Sequence, residues 1–272
     1  TDSFFELSAI NREENSGRQP IPYVIPPGIM LENVPTLNNI GGLKNEQSLL
    51  VQVGQLQDGE GKGVFKPLDV DMRQFKNLEF FVHAESLNSP IVGTCDGLKD
   101  KEMRAFIRLG DDFQNNYYEY EIPLYVTRPD DLVGVDTITR QNLTWPEKNR
   151  VKIRLQDLVD VKVQRNFDPE GSATKPYSIT KTTTNPDGTT ETYRITVVGS
   201  PDLGDAKLAM LGVRNPLRNS QTQNEDDGDN LCAEVWFNEL RLTELDRSAG
   251  YAAIARADIK LADLGNITLA GK

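Results

Sequence analysis

Leu231-Cys-Ala-Glu-Val-Trp-Phe-Asn-Glu-Leu-Arg-Leu242 is the stretch that decides the fold class. On the two-residue period of a pleated strand, one set of positions is Cys232, Trp236, Leu240 and Leu242, with Glu234 and Asn238 as polar exceptions. The other set is Ala233, Val235, Phe237, Glu239 and Arg241, apolar at one end and charged at the other. A strand that is apolar on both faces over part of its length belongs in the middle of a sheet, covered on both sides. The set containing Trp236 is expected to point inward, with Trp236 in the core. The character of the chain changes after Leu242, so the strand reads as the last of its domain.

Upstream, the pattern is that of further strands. Ser48-Leu-Leu-Val-Gln-Val-Gly54 is strand-like, Asp58-Gly-Glu-Gly-Lys-Gly63 is turn-rich, and Val64–Met72 is extended again. A short link then enters Glu79-Phe-Phe-Val-His-Ala84. Met103–Leu109 and Tyr117–Val126 flank a polar turn and form the clearest hairpin. Within it Tyr118, Tyr120, Ile122 and Leu124 share one face, and Tyr117, Glu119 and Glu121 share the other. Val151–Leu155 alternates as a strand. Residues 156–165 allow a helix with Leu155, Leu158, Val159 and Val163 on one side, or a continued strand. Tyr177–Thr184 and Thr189–Val198 make a second hairpin, so rich in threonine that a protruding solvated ribbon is expected. Ala206–Arg214 is another strand. This grammar resembles jelly-roll sandwiches of the galactose-binding and carbohydrate-binding-module type. The expected fold is mostly β: an antiparallel, jelly-roll-like sandwich over residues 46–245, after an extended lead-in over 1–45 and before a different kind of segment over 246–272. Four prolines among Gln19–Gly28 fix φ and remove donors, so the lead-in is expected to dock along a surface.

A net charge of −11 opposes nucleic acid, whose phosphates must be met by Lys and Arg, so no nucleic-acid partner is expected. No apolar run is long enough for a transmembrane helix, and no signal-peptide pattern opens the chain. Thr1 is not an initiator Met, which marks the chain as a fragment. Cys95 and Cys232 stand 137 residues apart. That spacing is neither a metal site nor a dithiol motif. Two unpaired thiols, with Cys232 buried, are the simpler reading; a disulfide requires an oxidising compartment.

Chemistry-bearing motifs are few. The only histidine is His83, so no Ser-His-Asp or Cys-His constellation can be assembled, and no catalytic, cofactor or metal residues are assigned. His83 reads as a strand residue with a hydrogen bond. Gly59, Gly61 and Gly63 precede a strand, whereas phosphate loops lead into a helix. The acidic run Asn224–Asn230 offers hard oxygens to calcium but lacks the spacing of the helix-loop-helix motif; a solvated loop is the plainer reading. Tyr117, Tyr118, Tyr120, Trp145 and Trp236 would suit a sugar platform, against which stands ordinary core packing.

The tail differs. Ala253, Ala255, Ala257, Ile259 and Leu261 alternate with Ile254, Arg256, Asp258 and Lys260, the length and pattern of a transmembrane β-strand, followed by a short turn at 263–266. A surface hairpin would show the same pattern. Here the blocks Pro22–Gly28, Asp71–Glu85, Phe106–Gly110, Asn115–Leu124, Gly212-Val-Arg-Asn-Pro216, Cys232–Leu242 and Lys260-Leu-Ala-Asp-Leu-Gly-Asn266 are similar to the SprA/Sov family. These are giant outer-membrane proteins of Bacteroidota that form the translocon of the type IX secretion system. The resemblance implies a large barrel passing folded cargo with a C-terminal signal, with a PorV-type shuttle barrel and a periplasmic plug as partners. The present chain is then an accessory cap or insert domain plus the first barrel strands. Short turns of such barrels are periplasmic, which puts the domain on the extracellular side, with the periplasm as the alternative. A carbohydrate-binding module of a secreted protein is the second expectation; it has no use for an amphipathic tail strand. An enzyme ranks third.

Overall fold

The computed structural model describes residues 3–29, 33–34, 42–43, 46–68, 70–87, 95–184, 188, 190–220, 222, 224–245, 255–261 and 265–271. In chain order the strands are β1 (Phe4–Asn11), β2 (Asn33–Val34), β3 (Gly42–Leu43), β4 (Gln47–Leu56), β5 (Gly61–Pro67), β6 (Phe75–Ser86), β7 (Arg104–Asp112), β8 (Asn116–Pro123), β9 (Val151–Arg154), β10 (Tyr177–Thr184), β11 (Thr190–Val198), β12 (Leu208–Arg214), β13 (Leu231–Leu245), β14 (Ala255–Leu261) and β15 (Gly265–Gly271). The helices are α1 (Arg12–Asn15), α2 (Thr137–Thr144) and α3 (Leu155–Phe167). Two antiparallel sheets, ordered β1-β4-β13-β6-β9 and β10-β11-β8-β7-β12-β5, form a sandwich. The two-sheet antiparallel build expected from the sequence is therefore present.

Alternation supplies the core between the sheets. Val51, Val53, Phe80, Val82, Val235 and Phe237 of one sheet meet Ile107, Leu109, Tyr118, Tyr120, Ile195 and Val197 of the other. Each such apolar side chain contributes roughly 1.5–3 kcal/mol by leaving water. Residues 155–167 form a helix rather than a strand. Its buried Leu155, Leu158 and Val161 recur at three-residue spacing on the face that joins the core. Val163, expected on that face, is exposed.

Strand β13 lies at the centre of its sheet, between β4 and β6, as expected. Its faces are the reverse of the expected ones. Ala233, Val235 and Phe237 point between the sheets, while Trp236 joins a second apolar cluster. The register against β6 slips between Asn238 and Arg241, where Glu239 takes a positive φ of 54°. A bulge of this kind adds a residue and switches the parity of the strand. Beyond it Leu242 packs on the main core, whereas Leu240 is exposed.

The second cluster, Ile10, Ile21, Tyr23, Phe81, Leu132, Trp145 and Trp236, explains why β13 is apolar on both faces. Residues 18–29 run across the outer face of the five-stranded sheet as the expected docked segment, burying Ile21 and Tyr23. The lead-in is not separate from the sandwich, however. Its first part, β1, pairs with β4 along its whole length as an edge strand, Phe4 against Gly54 through Asn11 against Gln47.

Strands β10 and β11 form the expected threonine-rich hairpin at the edge of the six-stranded sheet. Its solvated part is β10 and the first half of β11, because Ile195–Val198 of β11 are buried. In the tail, β14 pairs with β15, setting Ile259 against Ile267 and Ala257 against Leu269. Directly opposed residues share a sheet face, so this register keeps the apolar set of one strand in line with that of the other. Residues 246–254 and 262–264, half of the expected turn at 263–266, lie outside the described residues.

Candidate functional site

Two polar assemblies stand out, one on the outer face of each sheet. The first is a clamp under residues 18–29. Arg18 donates to Glu85 Oε1 at 2.6 Å and to Glu234 Oε1 at 2.7 Å, and also to the Ile21 carbonyl at 2.8 Å. Glu234 further accepts from Gln52 at 2.7 Å and from the indole N–H of Trp236 at 2.7 Å. Asn238, the other polar exception, donates to Tyr23 Oη at 2.9 Å, to Ser48 Oγ at 2.7 Å and to Glu46. Both residues thus satisfy the chain that covers them, which is the condition for burying polar groups. Trp145 Nε1 donates to the Val24 carbonyl at 2.7 Å and Gln141 to the Ile25 carbonyl at 3.1 Å, completing the hold on the segment.

His83 is fully buried within the clamp. Its Nδ1 lies 2.7 Å from the Thr144 carbonyl, its ring is tilted 32° at 3.9 Å from Trp236, and its Nε2 lies 3.5 Å from Glu85 Oε2. It serves as a strand residue with a hydrogen bond, as read from the sequence.

The second assembly covers the six-stranded sheet. Register places Arg194, Glu121, Phe106 and Gly212 side by side across β11, β8, β7 and β12, with Glu119, Arg108 and Met210 in the row on one side and Arg104 and Arg214 on the other. Gly212 is required here: a Cβ would come within 2.4 Å of the Phe106 ring. Arg214 donates to Glu119 Oε1 at 2.8 Å and Oε2 at 3.0 Å and also bonds Glu121; Arg108 donates to Glu119 Oε2 at 2.5 Å. Burial alone would raise the Glu119 carboxyl, but hydrogen bonds and charge from Arg214 and Arg108 outweigh it and hold the pKa below the usual range. The same carboxylates raise the pKa of Arg214 against its own burial.

A carboxyl depressed in the folded state contributes stability that is full above its unfolded pKa, near 4.3, and is lost as pH falls through the lower folded value. Glu119→Gln is therefore expected to cost about 2–3 kcal/mol at pH 7 and to approach the wild type well below pH 4. Urea unfolding at both pH values reads this; an equal loss at both would remove the carboxylate's role.

In the acidic run 224–230, two of the carboxylates are paired with neighbouring cations. Asp227 accepts from Lys99 at 2.6 Å, and Glu225 pairs with Lys101 at 3.1 Å and Arg104 at 3.5 Å. Among the described residues no three acidic, His or Cys side chains form a group that could hold a metal ion. The five candidate platform aromatics are all buried: Tyr118 and Tyr120 in the main core, Trp145 and Trp236 in the second, and Tyr117 beneath the Arg108 guanidinium at 4.2 Å. Cys95 and Cys232, expected as two thiols, are joined in a disulfide. Sheet pairing sets Cys232, at the start of β13, beside the segment after β6, a juxtaposition that a spacing of 137 residues does not reveal.

The arginine–glutamate array was not among the sequence-derived candidates. Its signal was present: Arg104, Phe106 and Arg108 alternate on β7, as Glu119 and Glu121 do on β8. Only the register of the strands brings the two sets together.

The family model SprA_N, described as motility related/secretion protein, matches residues 1–272. No curated protein matches the chain.

Proposed function

Because this chain belongs to the SprA_N family of motility-related and secretion proteins, we propose that it is a non-catalytic accessory domain, a cap or insert, of an outer-membrane protein-export channel of the type IX kind. In this reading the two-sheet sandwich, with residues 18–29 docked on it, forms one body mounted on the barrel through the tail strands, and its surface docks partners during passage of folded cargo. The family match over the whole chain is the observation that carries the reading.

Three structural features support it. The Cys95–Cys232 disulfide suits an oxidising location such as the periplasm or the cell surface. The β14–β15 register aligns the apolar positions as lipid-facing barrel strands require. Pinning of both sheets and the N-terminal segment into one body suits a scaffold that holds docking surfaces in fixed relation. Partners in this proposal are the remainder of the barrel, a PorV-type shuttle, a periplasmic plug and cargo carrying a C-terminal signal. The carbohydrate-module alternative loses its main support, since its five aromatic candidates are buried.

The extracellular side is proposed from the short tail turn. Proteolysis of intact cells at a cleavage site inserted at Gly188, which is exposed between β10 and β11, tests it.

A further inference from the structure

A groove of about 620 Å³ opens on the outer face of the six-stranded sheet, within the size range of ligand-binding cavities. Arg104, Arg194 and Arg214, Thr192, Leu217 and Glu225 are among the residues that line it. We propose that this groove docks an extended acidic peptide segment of a partner protein, held through its side-chain carboxylates by Arg104 and Arg194.

The argument begins with charge. Four arginines, at 104, 108, 194 and 214, stand over two buried glutamates, Glu119 and Glu121. Arg108 and Arg214 take up Glu119 through hydrogen bonds, and Arg214 also bonds Glu121. The other two guanidiniums are left with ion pairs alone: Arg194 with Glu121 Oε1 at 2.7 Å, and Arg104 with Glu121 Oε1 at 3.8 Å and Glu225 Oε2 at 3.5 Å. Among the described residues neither donates a hydrogen bond, and Glu121 Oε1 accepts none. An arginine carries five N–H donors in a planar fork matched to carboxylates, so two forks engaged here only through these ion pairs keep further donors to offer a ligand in the groove. Arg194 is 39% exposed at its side chain, within reach of a ligand.

The rest of the lining selects among anions. The chain carries a net −11, so a dense polyanion laid across it meets repulsion beyond the groove, while a ligand with a few carboxylates meets only the local surplus. Threonine hydroxyls and the exposed Leu217 supply mixed polar and apolar contacts of the kind a peptide presents. Glu225 at the rim closes the groove electrostatically by pairing with Lys101 and Arg104, and an incoming carboxylate would take its place.

This inference rests on the docking role proposed above, yet binding by the purified chain does not depend on where the domain sits in the cell, so either can fail alone. Titrate the 272-residue chain with a fluorescent decapeptide carrying a central Asp-Glu-Asp, with its Asn-Gln-Asn counterpart, and with oligogalacturonate. The acidic peptide is expected to bind, weakening with added salt, and Arg194→Gln to reduce its affinity about tenfold or more. Arg104→Gln should do likewise; the more exposed Arg194 variant keeps the test decisive if the first does not fold. Equal binding of the amide peptide, unchanged affinity in Arg194→Gln, binding of oligogalacturonate alone, or no binding at all overturns the proposal.

Discussion

Trp236→Ala is expected to lower the free energy of unfolding by about 3–5 kcal/mol, the range for truncating a large aromatic in a packed core. The side chain is fully buried. Its ring lies 3.9 Å from that of His83, 5.5 Å from Tyr23 and 5.9 Å from Trp145, with the Arg18 guanidinium over it at 5.5 Å. Removing the indole therefore opens a cavity between the sheet and residues 18–29, and it deprives the buried Glu234 of one donor. The loss should appear twice: in the denaturant midpoint, and as faster proteolysis within residues 18–29, because that segment loses the surface it lies on. A loss below about 1 kcal/mol would mean that the outer cluster is not a second core.

Replacing Cys95 and Cys232 together by serine is expected to cost about 2–5 kcal/mol. The loop closed by the bridge spans 137 residues, which places the effect toward the upper end in the chain-entropy account. The Cα atoms stand 5.8 Å apart, the usual separation for a disulfide, so the strands need not move to accommodate it. The bridge fixes the segment after β6 to the start of β13, where the buried side chain of Leu98 joins the main core and the Leu98 N–H donates to Ser86 Oγ at 2.9 Å. Unfolding of the oxidised protein with and without reductant measures the same quantity without mutation. Identical midpoints, with two thiols released only after unfolding, would contradict a bridge that stabilises the fold.

Much of the sandwich was legible because its strands are apolar-rich runs set off by polar turns: β4, β6, β7, β8, β12 and β13 all lie where the sequence places strands. The face of β13 was not. Nothing in Asn238-Glu-Leu-Arg241 marks the bulge that switches its parity, and the partners that make Glu234 and Asn238 sensible, Arg18 and Tyr23, lie 216 and 215 residues away. In retrospect the two polar residues carried the information. Within an apolar strand they announce a second layer that must supply hydrogen bonds. The Pro-rich segment showed its extended form through φ restriction, but its burial depends on Ile21 and Tyr23 reaching a face that only the folded sheet creates. The disulfide and the arginine–glutamate face share that limit, since each needs a register that no local pattern encodes.

The measurement that bears most directly on the export-channel reading is protease access to a site inserted at Gly188 in the parent protein, followed in intact cells and again after the outer membrane is opened. The domain is expected to be cleaved in intact cells while a periplasmic control protein survives, and both fragments should remain in the outer-membrane fraction. Protection in intact cells with cleavage after opening would place the domain in the periplasm and contradict the cap. Recovery of the protein away from the outer membrane would contradict the reading as a whole.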